Sequence, residues 1–170
     1  MKDVGLEFPK LVYKAVWKHL LRRRQRNEEA AFCYARPLQA EDGVYEVMDW
    51  RRILPEEFEH QSGCHLALRD DVRAGIIKQA HDLDASIVEF HSHLFGGPPE
   101  FSWSDIQGFK EMVPHCLWRL KGRPYFAVVV SKGGFDGFVW FTKNCEAEPL
   151  EWIRSGGVRL KASGKTILKL

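Results

Sequence analysis

The sequence predicts a mixed α/β fold in a single domain, and three observations carry that reading. Behind Pro9, the residues Val12, Ala15, Val16, His19 and Leu20 recur at helical spacing and make one apolar stripe. Two unbroken apolar runs, Ala30–Ala35 and Tyr125–Val130, have the length of buried strands. A second helical stripe, Val72, Ile76, Ala80 and Leu83, lies between strand-like segments, so helices and strands interleave.

Taken in order, the first helix is expected from Pro9 to about Asn27. Pro9 suits a first helical position, and the run Arg22-Arg23-Arg24-Gln25-Arg26 would complement the dipole in the last turns. Ala30–Ala35 follows as a buried strand closed by Pro37, and Val44–Ile53 as another after the Glu41-Asp42-Gly43 turn. Pro55–Gly63 is polar and reads as a loop, and His65–Leu68 as a short strand. A helix runs from Asp70 to about Leu83, with Asp70 and Asp71 at its positive end. Ser86–His93 is a strand. The Gly96-Gly97-Pro98-Pro99 loop leads to a helix that starts near Ser102 and is expected to end before Pro114. Tyr125–Ser131 and Phe138–Thr142 read as strands joined at Gly133-Gly134, and the alternating tail 158–170 as a hairpin around Ser163-Gly164.

Composition narrows the function classes. The chain has 170 residues, 45% of them hydrophobic and 28% charged, enough for one domain burying roughly 70% of its unfolded surface. Lysine and arginine number 25 against 23 acids, so the net charge of +2 gives no sign of a nucleic-acid partner. No apolar run approaches the ~20 residues of a membrane span, and MKDVGLEF has no apolar core of a secretion signal. Cys33, Cys64, Cys116 and Cys145 lie far apart, which fits reduced thiols and a cytoplasmic location.

The chemistry concentrates in Glu89-Phe90-His91-Ser92-His93 and Phe101-Ser102-Trp103-Ser104-Asp105. Strand side chains alternate, so His91 and His93 project from one face and are able to share a metal ion. Asp105, one turn into the next helix, can fold back across the loop. Two imidazole nitrogens and one carboxylate oxygen leave a fourth tetrahedral position open, the pattern of a catalytic rather than a structural zinc site. Ser102-x-x-Asp105 is equally a helix capping pair, and the two roles can coexist. The remaining histidines (His19, His60, His65, His81, His115) show no partner spacing, and ordinary core or surface roles are expected for them.

His91-x-His93 followed by Ser102-x-x-Asp105 resembles the zinc-binding signature of the JAB/MPN (JAMM) metalloprotease family, over roughly residues 11–142. The resemblance implies one MPN/JAB-like domain, a mixed β-sheet flanked by helices, with zinc on His91, His93 and Asp105. It also implies a catalytic glutamate just upstream of the first buried strand. In Asn27-Glu28-Glu29-Ala30-Ala31 that position falls on Glu28, with Glu29 one residue away; strand neighbours face opposite ways, so only one of the two can point at the metal. Leu94 stands where the family usually has proline, alanines replace strand glycines, and the eleven residues between His93 and Asp105 are one more than the family pattern. An extra loop residue costs little.

What the resemblance implies is a zinc isopeptidase that cuts after the C-terminal glycine of a ubiquitin-like protein. Glu28 would act as base, and Ser102 would donate to the developing oxyanion. Glu89 faces the same side as both histidines and is expected to support the site rather than act as its base, while Phe101 and Trp103 flank it. The compact length looks like the bacterial stand-alone branch, found beside operon-encoded E1-like activating and E2-like conjugating enzymes, including anti-phage systems. Two other readings stand beside it: a catalytically silent MPN scaffold, and a hydrolase that releases an amino acid from a sulfur-carrier-like protein.

Overall fold

The two apolar runs and the histidine-bearing strand between them form the centre of a nine-stranded mixed sheet in the computed structural model, which describes residues 3–142 and 146–166. These are β2 (Ala30–Pro37), β6 (Ser86–Ser92) and β7 (Tyr125–Ser131). They carry apolar residues on both faces because helices cover both faces. In β2, Ala30, Phe32 and Tyr34 enter one core, and Ala31, Cys33 and Ala35 the other. Around them stand β1 (Gly5–Phe8), β3 (Val44–Arg52), β8 (Gly134–Trp140), β9 (Glu148–Pro149), β10 (Trp152–Ser155) and β11 (Val158–Lys161). The sheet order is β11-β10-β1-β3-β2-β6-β7-β8-β9, with β4 (Phe58–Gln61) and β5 (Leu66–Leu68) pairing apart as a small hairpin.

Helix α1 (Lys10–Leu20) buries Val16 and Leu20 against Cys33, Phe90 and Val128 on one face. Helices α2 (Asp70–Asp82) and α3 (Trp103–Arg119) cover the other, through Val72, Ile76 and Ala80 and through Phe109, Val113 and Leu117. Among the described residues no helix is long and apolar enough to cross a membrane.

Several elements depart from the sequence expectation. Helix α1 stops at Leu20 instead of Asn27. Leu21 leaves helical geometry at φ −122°, ψ 60°, and Arg24 turns the chain at φ 59°. The arginine run is therefore a connecting turn and not the last helical turns. Helix α3 passes through Pro114 and ends at Arg119. A proline inside a helix costs ~3 kcal/mol. Burying Cys116 and Leu117 beyond it, together with Leu120, recovers more than that at ~1.5–3 kcal/mol for each large side chain.

Pro55–Gly63, expected as a loop, contains a 3-10 turn at Pro55–Glu57 and then β4, whose Phe58 is buried. Strand β8 begins at Gly134, not Phe138, because Ser131 and Gly134 already face each other across the turn. The tail hairpin forms one segment earlier than expected: β10 and β11 turn at Gly156-Gly157, both at positive φ. Ser163 and Gly164 instead lie on β8 as a strap, held through Ser163 N to Phe135 O (2.8 Å) and Gly164 N to Asp136 Oδ1 (3.2 Å). The second arm of the expected hairpin, 167–170, lies outside the described residues.

Candidate metal centre

The site is built where β2 and β6 run past each other. Their antiparallel register pairs Ala30 with His91, and Ser92 N donates to Glu29 O at 2.9 Å, so the next pair outward is Glu28 with His93. Residues opposite one another in such a pair share a face. Glu28, Ala30, His91 and His93 therefore look toward α2 and α3, while Glu29 and Ser92 look toward α1. The flanking contacts agree: Arg22 pairs with Glu29 Oε1, and Ser92 Oγ accepts from Glu29 N (2.9 Å) and from Gln25 Nε2 (2.8 Å). Of the two adjacent acids, Glu28 is the one beside the histidines, with Oε1 3.8 Å from His93 Nε2.

Asp105 arrives from the first turn of α3. Ser102 caps that helix: its Oγ accepts from Asp105 N at 3.2 Å, while Ser102 N and Oγ both donate to Asp105 Oδ2 at 2.7 Å. The cap and the acid's orientation are one device: the capping role is present, and it leaves Asp105 turned toward the two histidines. The connecting loop is pinned from below. Ser131 Oγ donates to Gly97 O at 2.9 Å, Ser163 Oγ to Pro99 O at 2.7 Å, and Phe101 N to Thr166 Oγ1 at 2.9 Å. A Cβ on Gly133 would sit 2.7 Å from Gly97 O, so glycine is required for this close approach.

Three donor atoms converge. His91 Nε2 and His93 Nε2 are 3.2 Å apart, and each is 3.4 Å from Asp105 Oδ2. A tetrahedral ion with ~2.05 Å bonds has ligand–ligand edges of about 3.3 Å. The group can therefore hold a metal ion without rearranging its ligands. Burial raises the Glu28 carboxyl above its usual range, against the pull of His93 and His91. Burial also opposes ionisation of Asp105, but hydrogen bonds from His91, His93 and Ser102 outweigh it and hold the acid well below the ordinary carboxylate range. Desolvation disfavours a charged His91, yet Asp105, Glu89 and Glu28 raise its pKa overall. Two carboxylates facing two imidazoles leave this corner calling for a cation, and a divalent ion would answer that need.

The remaining predicted residues fall around this core. Glu89 lies on the same face of β6 but outside the donor group, its carboxylate taking the Tyr125 hydroxyl as donor. Phe101 is 5% exposed, with its ring 5.7 Å from His91 and packed on Phe109 and Phe138. Trp103 is 68% exposed at the helix start, so of these two flanking aromatics Trp103 is the open one. Cys33 and Cys116 are buried free thiols, Cys64 is exposed, and Cys145 lies outside the described residues.

Sequence reasoning missed the wall that completes the site. The β4–β5 hairpin is tied to Glu28 itself: Glu28 N donates to Ser62 O at 2.8 Å and Gln61 Nε2 to Glu28 O at 2.9 Å. Beyond the donor group opens a cleft of about 710 Å³, with α2 and α3 on its sides, Glu89 and Phe32 on its floor, and β5 along one rim. Among the described residues β5 pairs only with β4, which leaves its other edge free. The apolar Leu66–Leu68 is legible as the short strand expected at His65–Leu68, but its partner β4 is short and mostly polar, so nothing local announces the pairing. No protein-family model matches the chain, and no curated protein matches it.

Proposed function

We propose that this protein is a zinc metallopeptidase of the JAB/MPN (JAMM) type, cutting after the C-terminal glycine of a ubiquitin-like protein. The observation that carries the reading is the donor triangle of His91, His93 and Asp105 with a buried carboxylate, Glu28, 3.8 Å from one of its histidines. A zinc ion held by the three donors would acidify water toward pKa ~7 and polarise a carbonyl. Glu28 would take the proton from the attacking water and return it to the leaving amine. Ser102 would donate to the developing oxyanion only after its hydroxyl turns from Asp105, its partner at 2.7 Å. The free edge of β5 beside the cleft suits an extended tail, which adds to an edge strand through main-chain hydrogen bonds. No covalent intermediate is needed, and among the described residues no cysteine joins the donor group.

Zinc content by native mass spectrometry tests the reading. Wild type is expected to hold one zinc per chain, and Glu28→Ala to keep the zinc but lose cleavage of a glycine-ended ubiquitin-like fusion. His93→Ala is expected to lose both, because two remaining ligands hold zinc poorly. A His93→Ala protein with full zinc would sink the ligand set. Folded wild type that takes up no zinc would instead favour a silent scaffold.

A further inference from the structure

The net charge of +2 averages two unlike parts of the chain. No acid occurs between Glu7 and Glu28, while Lys10, Lys14, Lys18 and the four arginines of 22–26 put seven cations into 17 residues. The rest of the chain carries 18 bases against 23 acids, so a basic segment sits on an otherwise acidic protein. Asymmetry of that kind draws a polyanion to one face, whatever the total charge.

Folding alone does not account for this segment. Basic residues in the last turn of a helix complement its dipole, which explains Lys18. Lys10 instead opens α1, whose first turn contains no acid, and so stands at the positive end, where a cation is disfavoured. Lys10, Lys14 and Lys18 follow one another at i, i+4, a spacing at which like charges repel. All seven side chains are exposed, and among the described residues only Arg22 has an ion-pair partner, Glu29. Exposed Arg52 joins them from β3, since it and Arg22 both lie within electrostatic reach of His19. The arrangement costs the helix stability and leaves its charges unmet.

What surrounds the charges selects the partner. Leu11, 80% exposed, is the one large apolar side chain open on residues 9–27, because Val16 and Leu20 are buried against the sheet. Protein interfaces have an apolar centre poor in lysine, and a membrane-bound helix needs its apolar face free to insert. Helix α1 offers neither. Interfaces with nucleic acid are polar and strongly positive, as this surface is. We propose that the exposed ridge of α1 and the arginine turn after it bind the phosphodiester backbone of a nucleic acid without reading its sequence. The surface lies on the α1 side of the sheet, while the donor triangle faces α2 and α3. The assignment is therefore independent of the peptidase reading, and both sites can be occupied at once.

Fluorescence anisotropy of a fluorescein-labelled DNA strand of about 20 nucleotides, alone and as a duplex, tests this on the full chain. If about five cations meet phosphates, log affinity for the single strand should fall against log salt with a slope of ~3.5, about a hundredfold between ~50 and ~200 mM. Lys10→Glu/Lys14→Glu should weaken low-salt binding about tenfold or more and lower that slope by about 1.4. The same variant should keep or raise Tm, because acids suit the start of a helix, so weaker binding cannot be put down to unfolding. Lys110→Glu/Lys121→Glu makes an equal charge change at exposed positions on and just after α3, and should bind like wild type. No binding of either DNA form at low salt, equal weakening by both variants, or a slope below about 2 would each overturn the assignment. Tighter binding of polyglutamate of equal charge would overturn it in favour of an acidic protein, and tighter binding of phosphatidylserine vesicles in favour of an anionic membrane.

Discussion

Removing one hydroxyl, Ser102→Ala, separates the two roles the serine combines. In the folded protein its Oγ accepts from Asp105 N at 3.2 Å and donates to Asp105 Oδ2 at 2.7 Å, while Ser102 N makes a second 2.7 Å bond to the same oxygen. Alanine keeps the backbone bond and loses both hydroxyl bonds. Loss of an N-cap serine costs about 1 kcal/mol, which for a chain of this size is roughly 2–4 °C in Tm. Asp105 would then be held by one hydrogen bond from Ser102 instead of two. Losing a group that orients a metal ligand typically weakens metal binding ~10–100-fold.

The assay has three readouts: thermal unfolding of metal-stripped protein, zinc affinity by competition with a chelating dye, and turnover at saturating zinc. If Ser102 acts only through Asp105, turnover recovers as zinc is raised. If the hydroxyl also meets the oxyanion, turnover stays down by ~10²–10³ even with zinc full. Unchanged Tm in the metal-stripped protein together with unchanged zinc affinity would refute the view that this cap orients Asp105.

Other expected outcomes follow from the same geometry. Adding zinc at a hundredfold over its Kd should stabilise wild type by about 2.7 kcal/mol and leave His93→Ala unmoved, as read by denaturant melts. Asp136→Ala should cost roughly 2–4 kcal/mol, because the buried carboxylate accepts from Gly164 N at 3.2 Å and Thr166 N at 2.9 Å; zinc affinity should fall as well, since the released strap also holds Phe101 N. Thiol alkylation followed by peptide mapping should mark Cys64 quickly in native protein. Cys33 and Cys116 should react only after unfolding, because burial raises both thiols, Cys116 to about 12. Rapid native labelling of Cys116 would contradict the packing of α3.

How far the sequence could be read depends on whether the signal is local. The apolar runs of β2 and β7 announce themselves because both faces are buried, and the Ser102 cap sits next to the acid it serves. Pro114 misleads for the opposite reason: a local penalty is real, but the burial of Cys116 and Leu117 that offsets it depends on a sheet formed by distant residues. The arginine run misleads likewise, since its turn is decided by Arg22 meeting Glu29 and not by helix propensity. Of the β4–β5 hairpin only the strand at His65–Leu68 is legible; mostly polar β4 and its pairing with β5 leave no trace in sequence. They matter only once α2, α3 and the hairpin enclose one space.

The choice between Glu28 and Glu29 shows how much one register decides. Sliding β2 by a single residue along β6 would exchange every face, sending Glu28 to the α1 side and Glu29 to the histidines. Three independent contacts resist the slip. Arg22 takes Glu29 on the α1 side, Ser92 Oγ takes Glu29 N at 2.9 Å, and the β4–β5 hairpin takes both Glu28 N and Glu28 O. Each contact would break on sliding, and Glu29 would lose its arginine on becoming buried against Asp105, a like charge. A buried carboxylate stripped of its partner costs several kcal/mol. The neighbouring acid is thus part of the mechanism of placement: Glu29, anchored on one face, holds Glu28 on the other, 3.8 Å from His93. Glu29→Gln should therefore leave zinc bound while loosening Glu28. Activity lost in that variant alone cannot assign Glu29 as the base unless Glu28→Gln stays active.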